Sequence, residues 1–256
     1  MLDAVVAPAG LIDGLTHLWN FENNLDDVVG GLNGTAIAGT GFGVGKVGGN
    51  SVDLTTGYID ITSEVITDQQ NNYTWSAWFK NSGTFGYILE SSPDTVFAMS
   101  AVAGYPSAAS VRTHIQGLGG GWRQRDDTLS SPSDWNLIVV TYDGSLPDSS
   151  AGTVYLNGTL AGNVSTVGIG GDITPLASTS GLHIGADRAG TGRFEGQLDE
   201  VAVWDRTISG AEAAQLYNSG NGFDLSAVPE PSTFAIFAIG GCIVGLGYRR
   251  RKRSVA

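Results

Sequence analysis

Apolar and polar residues alternate with a period of two along most of the first 204 residues, and clusters of Gly, Asn, Asp and Ser interrupt the pattern about every ten residues. Successive side chains of a strand point to opposite faces of a sheet, so this pattern is typical of strands with one buried face. It predicts an all-β fold built as an antiparallel sandwich or barrel. The strand candidates are Leu15–Phe21, Ser51–Leu54, Tyr58–Thr62, Thr74–Lys80, Phe85–Glu90, Val96–Ala101, Val111–Gln116, Asn136–Tyr142, Thr153–Leu156, Leu182–Gly185 and Phe194–Trp204.

Two local motifs define a turn and a helix. Asn157-Gly158 lies between two strand-like runs and predicts a type I′ hairpin turn. Ser209 and Glu212 have the spacing of a capping box, and the apolar positions of residues 213–217 follow it. The sequence therefore predicts one helix after the last strand, with Gly220 able to close its end.

The C-terminus carries a long apolar run between a proline-rich box and a basic cluster. The run Phe234–Tyr248 has 15 residues, so as a helix it spans roughly 22 Å, which is short of the ~30 Å hydrocarbon core unless basic residues snorkel and the bilayer thins. Because positive residues stay cytoplasmic, we expect one transmembrane helix with its C-terminus inside and the body across the membrane. The flanking residues are Pro229, Glu230 and Pro231 before the run, and Arg249, Arg250, Arg251, Lys252 and Arg253 after it.

This combination of Pro-Glu-Pro box, single span and terminal basic cluster resembles the PEP-CTERM protein-sorting domain of Gram-negative bacteria. The resemblance implies an exported protein, first anchored in the inner membrane and then placed at the cell surface or released. It also implies an exosortase-type sorting enzyme as a partner, which reads the tail and cleaves near the box.

The first ten residues do not have the features of a complete signal peptide. Residues 1–10 contain no cation and too few apolar residues for the hydrophobic region of a signal peptide, yet Ala7-Pro8-Ala9 has the small-x-small pattern of a signal-peptide cleavage site. We therefore expect a true start upstream, the alternative being an ordinary loop. The predicted division is an N-terminal segment at 1–14, a globular domain at 15–222, a linker at 223–228 and a sorting segment at 229–256.

Charge and cysteine content restrict the possible partners. Residues 1–228 contain 8 Lys/Arg and 24 Asp/Glu, a net charge of -16, which repels nucleic acid and anionic lipid. It favours divalent cations, or serves solubility alone. The single Cys242 lies in the apolar run, so no intramolecular disulfide is expected.

An ordered set of short motifs resembles the laminin-G-like branch of the concanavalin A-like lectin/glucanase superfamily. The resemblance runs from about residue 17 to residue 220 and implies a two-sheet jelly-roll sandwich used for carbohydrate binding, adhesion or domain contacts, and in distant relatives for glycan hydrolysis. The motifs are Leu18–Glu22, Phe42–Gly48, Tyr73–Phe79, Trp135–Asp143, Val154–Gly158, Ile184-Gly185, Phe194–Val201 and Leu216-Tyr217.

Catalytic patterns are weak in this chain. Glucanases of the superfamily place three acids at alternate positions of one strand, but Gln197 and Val201 flank Asp199 here. Glu195 shares the face of Asp199 at roughly 13 Å, beyond the ~5 to 9.5 Å of glycosidase pairs. The three histidines do not have the spacing of zinc ligands. The sequence also lacks the Gly-x-Ser-x-Gly motif that carries the nucleophile of α/β-hydrolases. We expect a non-enzymatic protein, with a glycoside hydrolase as an alternative.

Asp199 is a candidate metal ligand, because alternation places it on the same face as the apolar Val201 and Val203. A carboxylate that faces a core must be compensated. The resemblance implies a structural calcium ion held by Glu22 and Asp199, with Asn50 or backbone carbonyls of the loop 39–49 as further ligands. The alternative is a hydrogen-bonded Asp at a strand end, with Glu22 on the surface.

A candidate ligand-binding surface lies in the middle of the chain. Arg112, His114 and Gln116 alternate along one strand, which suits the solvated concave sheet of a jelly roll, and further polar residues with a Trp follow a Gly119–Gly121 hairpin. An exposed Trp stacks on sugar rings while Arg and Asp bind hydroxyls. The alternative is a solvent face with the Trp covering the sandwich edge. The residues of this second group are Trp122, Arg125 and Asp127, with Arg123 and Asp126 between them.

The other tryptophans, 19, 75, 78, 135 and 204, are assigned to packing. The function that these features favour is an exported protein that binds or organises extracellular polysaccharide. A protein–protein adhesion or scaffold module without glycan specificity is the alternative.

Overall fold

Sixteen β-strands form most of the body in the computed structural model, which describes residues 10–66, 71–82, 84–91, 100–173 and 180–226. Residues 7–226 form one unit, and the other unit, residues 1–6 and 227–256, lies outside the described part. The strands are β1 Leu15–Trp19, β2 Thr35–Ile37, β3 Gly41–Val44, β4 Asn50–Asp53, β5 Tyr58–Ile61, β6 Asn72–Asn81, β7 Gly86–Ser91, β8 Ser100–Ala103, β9 Ser110–Gln116, β10 Trp122–Thr128, β11 Asn136–Asp143, β12 Gly152–Leu156, β13 Thr159–Asn163, β14 Thr166–Ile169, β15 Leu182–Ile184 and β16 Gly196–Trp204; the helices are α1 Asp148–Ala151 and α2 Gly210–Tyr217.

The strands pair antiparallel in two sheets, as the alternation predicts. We name them the inner sheet, with the order β13-β12-β11-β6-β16-β4-β3 and β1 paired to β16, and the outer sheet, with the order β14-β10-β9-β8-β7-β15-β5-β2. The predicted two-sheet sandwich is confirmed.

The inner sheet is buried on both faces. In β11, Ile138 and Val140 face the main core between the sheets, whereas Leu137 and Val139 face a second core on the opposite side. Helix α2 contributes Leu216 to that second core. Burial on both faces explains why β11 reads as a continuous apolar run rather than an alternating one.

The outer sheet has one face in the main core and one face that is solvated in part, since Glu90 and Ser100 on it are buried. In β9, Val111 and Ile115 belong to the main core, while Arg112 and His114 between them are partly exposed on the other side. Because helix α2 and its core cover the far side of the inner sheet, the large solvated sheet face of the described body is that of the outer sheet. We call it the outer face.

The predicted helix and turn are present, with one correction. Ser209 caps α2 through the Glu212 amide, and the Glu212 side chain accepts from the Ser209 amide, so the capping box is confirmed. The helix ends at Tyr217, where the predicted apolar positions end, but Asn218 rather than Gly220 is its C-cap, at φ 48°. Asn157 and Gly158 have φ of 51° and 73°, as a type I′ turn requires.

Differences from the predicted strands concern mainly short or polar segments. The strand expected at 96–101 is described from Ser100 to Ala103, and residues 92–99 lie outside the described part. β10 and β13 were expected only as the strands after the two predicted hairpin turns, without bounds. β2, β3 and β14 were not among the candidates, since their patterns are short, glycine-containing or polar.

No helix within the described residues is long and apolar enough to span a bilayer. The predicted transmembrane run at 234–248 and the N-terminal segment before residue 10 fall outside those residues.

Candidate functional site

A pocket of about 290 Å³ opens on the outer face near the middle of the sheet. Four of its seven lining residues are Phe, Tyr or Trp. We call it the aromatic pocket; its lining residues are Phe85, Tyr87, Val102, Tyr105, Arg112, His114 and Trp122.

Strand register builds the floor of this pocket. Tyr87 of β7 pairs with Val102 of β8, Val102 pairs with Arg112 of β9, and Arg112 pairs with Asp126 of β10. Residues directly opposite each other on antiparallel strands share a face, so this row of four crosses the outer face. A register shift after Tyr87 keeps both Tyr87 and Glu90 on that face.

Arg112 is held by a carboxylate and a ring. Its Nε and Nη2 atoms donate to Oδ1 and Oδ2 of Asp126 at 2.5 and 2.7 Å, and its Cζ lies 4.3 Å from the ring centroid of Tyr105. The Asp126 hydrogen bond raises the pKa of the guanidinium further above its usual value. The bidentate pair fixes the geometry of Arg112 and neutralises its charge.

His114 lies beside Trp122 and is neutral at physiological pH. The two rings meet edge to face, with centroids 5.1 Å apart. Burial, with a smaller contribution from the charge of Arg112, lowers the pKa of His114 to about 4. Together with the Arg112–Asp126 pair, this gives the pocket wall polar atoms but no net charge.

The aromatic rings are oriented by close backbone contacts and by each other. A Cβ at Gly168 of β14 would lie 2.3 Å from the indole of Trp122, so the backbone of Gly168 packs flat against that ring. Phe85 meets Tyr87 and Tyr105 edge to face at 5.8 and 6.1 Å. Phe85 and Tyr105 remain 50% and 42% exposed, which leaves apolar ring surface open to a ligand.

Three of the six predicted ligand-binding residues line this pocket: Arg112, His114 and Trp122. Gln116 is only 8% exposed, and its amide points to the Gly120 carbonyl oxygen at 3.5 Å. It lies outside the pocket lining.

Arg125 and Asp127 lie on the opposite face of β10, so this part of the prediction is corrected. They are in register with the buried Thr113 and Val111, and Arg125 binds Asp127 at 2.9 Å and also the carbonyl of Ala161 on the inner sheet. The reason is the period of two within β10, which places alternate residues toward the core.

Three residues of the pocket lining were missed by the sequence prediction, and Asp126 was named only as lying between the candidates. The alternation of Trp122, Gln124 and Asp126 becomes visible once β10 is treated as a strand. Phe85, Tyr87 and Tyr105 come from other parts of the chain and carry no local signal of their proximity.

The residues predicted to hold calcium also come together, at the turn before β4. Asp199 is fully buried and accepts the amide hydrogens of Lys46, Val47 and Glu200 at 2.7 to 2.9 Å. Glu22 accepts from the amides of Gly49 and Asn50 and from Asn50 Nδ2 at 2.7 to 3.2 Å.

This geometry satisfies the carboxylates with N–H donors. Asn50 turns its nitrogen toward Glu22, and both oxygens of Asp199 accept amide hydrogens, whereas calcium binding requires six to eight oxygen ligands. Among the described residues no group of three or more His, Cys, Asp or Glu is placed to hold a metal ion. The arrangement corresponds to a hydrogen-bonded Asp at a strand irregularity. Calcium binding stays a prediction that this geometry does not favour.

Burial gives Asp199 a testable pH dependence. It raises the pKa of Asp199 to about 7, although the amide hydrogen bonds of Val47, Lys46 and Glu200 oppose the shift. A pKa raised in the folded state contributes stability that is complete below about pH 4 and is lost as the pH rises through about 7. Relative to Asp199→Asn, the wild-type chain should therefore lose stability between about pH 5 and about pH 8.

Urea denaturation of both proteins at the two pH values, with EDTA present, measures this difference. A wild-type stability that rises with pH relative to the variant would show that Asp199 is ionised in the folded protein.

Sequence comparison identifies the fold family. Residues 53–214, more than half of the chain, match the Laminin_G_3 model, described as the concanavalin A-like lectin/glucanases superfamily. The chain belongs to this superfamily. A search of curated protein sequences finds no match.

The tail matches a second family model. Residues 227–252 match the PEP-CTERM protein-sorting motif, and this range includes the predicted Pro-Glu-Pro box and the residues Arg249, Arg250 and Arg251. The motif indicates export and exosortase-dependent sorting to the cell surface.

Solved structures share the sandwich at low sequence identity. The binding domain of Paraclostridial Mosquitocidal Protein 1 matches with a TM-score of 0.61 and 15% identity over 82% of this chain and 53% of that one. The binding domain of botulinum neurotoxin DC, in complex with rat synaptotagmin II, gives 0.60 and 13% over 82% and 52%. Domain 4 of AbnA, an extracellular arabinanase from Geobacillus stearothermophilus, in complex with arabinotriose, gives 0.54 and 17% over 78% and 97%.

These likenesses concern the fold alone. The chain spans about half the length of the toxin binding domains and nearly the whole of the arabinanase domain. A shared fold does not locate a binding site, so the site of this chain has to be argued from its own residues.

Gly168 offers a test of the aromatic pocket that leaves its lining residues unchanged. Gly168→Val should push the Trp122 indole away from β14 and weaken ligand binding by about tenfold, because the added side chain would meet the ring at less than van der Waals distance. Gly170, at which an added Cβ meets no atom within 4 Å, provides the control Gly170→Ala. Equal binding by the two variants would show that Gly168 does not position the ring.

Proposed function

We propose that this chain is an exported, non-enzymatic surface protein that binds neutral extracellular polysaccharide through the aromatic pocket. One observation carries the proposal. Four aromatic side chains surround a fixed Arg112–Asp126 pair and a neutral His114 on the solvated face of the sandwich.

This arrangement suits a sugar in two ways. The exposed ring surfaces of Tyr105, Phe85 and Trp122 can stack on the apolar face of a pyranose or furanose. Arg112 and Asp126 are a preorganised donor and acceptor for hydroxyl groups, since their bidentate pairing already fixes both side chains. A volume near 290 Å³ is at the small end for ligand pockets and suits one or two sugar rings.

Charge favours a neutral glycan over an acidic one. The residues before 229 carry a net charge of -16, and Arg112 is neutralised by Asp126. A uronic acid or sulfated chain would meet long-range repulsion with no unpaired cation in the described pocket wall to compensate it. Binding should accordingly depend little on salt concentration.

The solved relatives support a binding role. One is a toxin binding domain bound to a protein, and another is an arabinanase domain bound to the neutral arabinotriose. Their ligands include both a protein and a sugar, so the choice between these classes rests on the pocket.

The full chain, kept in a detergent without sugar headgroups, should be applied to an array of neutral and anionic polysaccharides. We expect retention on one or more neutral chains, little retention on anionic chains, and no release of reducing ends. A folded sample that binds no neutral chain would overturn the proposal, and reducing-end release would make the protein a hydrolase.

A protein-binding scaffold is the second candidate, and the edge of the outer sheet favours it. All four residues of β14 are exposed, with Val167 and Ile169 at 59% and 57%. An exposed apolar edge strand can pair with a strand of another protein. If the folded protein binds no sugar on the array, the protein-binding scaffold becomes the favoured function.

A further inference from the structure

The outer face carries a second pocket, of about 460 Å³, on its other half. We propose that it is a further subsite for the same glycan, so that the ligand is an extended oligosaccharide crossing the strands. This inference rests on the proposed function. We call it the polar pocket; its lining residues are Asp60, Ile61, Thr62, Ser180, Gly181, His183, Arg188 and Ala189.

Strand register places the two pockets on one face. Asp60 of β5 pairs with His183 of β15, His183 pairs with Glu90 of β7, Glu90 pairs with Ser100 of β8, and Ser100 pairs with His114 of β9. Directly paired residues share a face, so this row joins the polar pocket to the aromatic pocket. Three strand spacings separate His183 from His114, a distance of roughly 14 Å.

The described lining of the polar pocket offers hydrogen-bonding groups and no Phe, Tyr or Trp side chain. His183 Nδ1 donates to the Asp187 carbonyl oxygen at 2.7 Å, which fixes the imidazole, and its Nε2 lies 3.5 Å from Asp60 Oδ1. The side chains of Asp60 and Arg188 are 28% and 37% exposed, so both can reach a ligand. Such a site recognises hydroxyl groups by hydrogen bonds, whereas the aromatic pocket supplies stacking.

Glu90 lies between the pockets and connects their walls. It is 1% exposed, and its Oε2 accepts the amide hydrogen of Arg188 at 3.0 Å. Arg188 lines the polar pocket, and Tyr87, three residues before Glu90, lines the aromatic pocket. Because Glu90 is covered, a ligand that fills both pockets must pass over this boundary and must be longer than either pocket alone requires.

Calorimetric titration of the full chain with neutral oligosaccharides tests this length requirement. The probes are the arabino- and cello-oligosaccharides from disaccharide to octasaccharide. For the series that binds, we expect affinity to rise until the oligosaccharide spans both pockets and then to level off. Asp60→Ala and Ala189→Arg should weaken the longer oligosaccharides by about tenfold and leave the shortest unchanged.

The two variants act differently: Asp60→Ala removes a hydrogen-bonding side chain, whereas Ala189→Arg fills the pocket from an exposed position. Thr159→Ala, an exposed change on the inner sheet, is the matched control and should bind like wild type. An affinity independent of length, or an equal effect of the variants on short and long chains, would overturn the second subsite while leaving the first. Retention of a neutral polysaccharide on the array without binding of any oligosaccharide would overturn the two-pocket ligand, whereas failure of both the array and the oligosaccharides would overturn the proposed function itself.

Discussion

Trp122→Ala is expected to lower the affinity for neutral polysaccharide by about thirtyfold or more, which corresponds to ~2 kcal/mol. The indole packs against Gly168 on one side and meets His114 edge to face, so its orientation is fixed before a ligand arrives. A preorganised aromatic ring loses little entropy on binding, and its removal also opens the pocket wall to water. Binding isotherms of the variant and the wild type measure the loss.

The matched control is Trp122→Phe, which keeps a stacking ring and should retain most of the affinity. Both variants should unfold near the wild-type temperature, since Trp122 is partly exposed and lies outside the two core clusters. A folded Trp122→Ala protein with affinity within about twofold of wild type would contradict the assignment of this pocket.

Asp27→Ala is expected to lower the free energy of unfolding by about 3 kcal/mol or more. The side chain is fully buried and accepts from His17 Nδ1 at 2.7 Å and from four amides at 2.9 to 3.2 Å. Removing it leaves these donors unsatisfied in a loop that packs against β1. The amides belong to Leu18, Val29, Gly30 and Leu32.

The same contacts determine the response to acid. Burial alone would raise the pKa of Asp27, but the hydrogen bonds from His17 and the backbone amides outweigh it and hold the pKa well below its usual range. This stabilisation is present above about pH 4 and is lost as the pH falls further.

Urea denaturation at neutral pH measures the effect, with the exposed neighbour change Asp26→Ala as control, for which little loss is expected. A loss below ~1 kcal/mol in Asp27→Ala would contradict the role assigned to this carboxylate.

The fold was predictable from the sequence because its main signals are local. Alternation marks the strands that have one buried face, and the capping box and the Asn157-Gly158 turn depend on neighbouring residues only. The end of α2 at Tyr217 was also predictable, but its C-cap residue was not, because Asn218 can adopt the left-handed conformation usually filled by glycine.

The site was predictable only in part, because its residues meet through strand order. Arg112, His114 and Trp122 come from a hairpin, so their proximity follows from one turn. Tyr87 and Tyr105 join them because β7 and β8 lie next to β9 in the sheet, an arrangement that no local pattern encodes. Asp27, with its five hydrogen bonds, shows no distinguishing sequence feature beside Asp26.

The central claim is that a neutral glycan contacts Trp122 on the outer face. A titration followed by ¹H–¹⁵N correlation spectra of the indole N–H groups tests it most directly, with Trp122→Phe identifying the resonance. We expect the glycan to shift the Trp122 signal and to leave the signals of the buried Trp19, Trp75 and Trp204 unchanged. Binding that leaves the Trp122 signal in place would contradict the account.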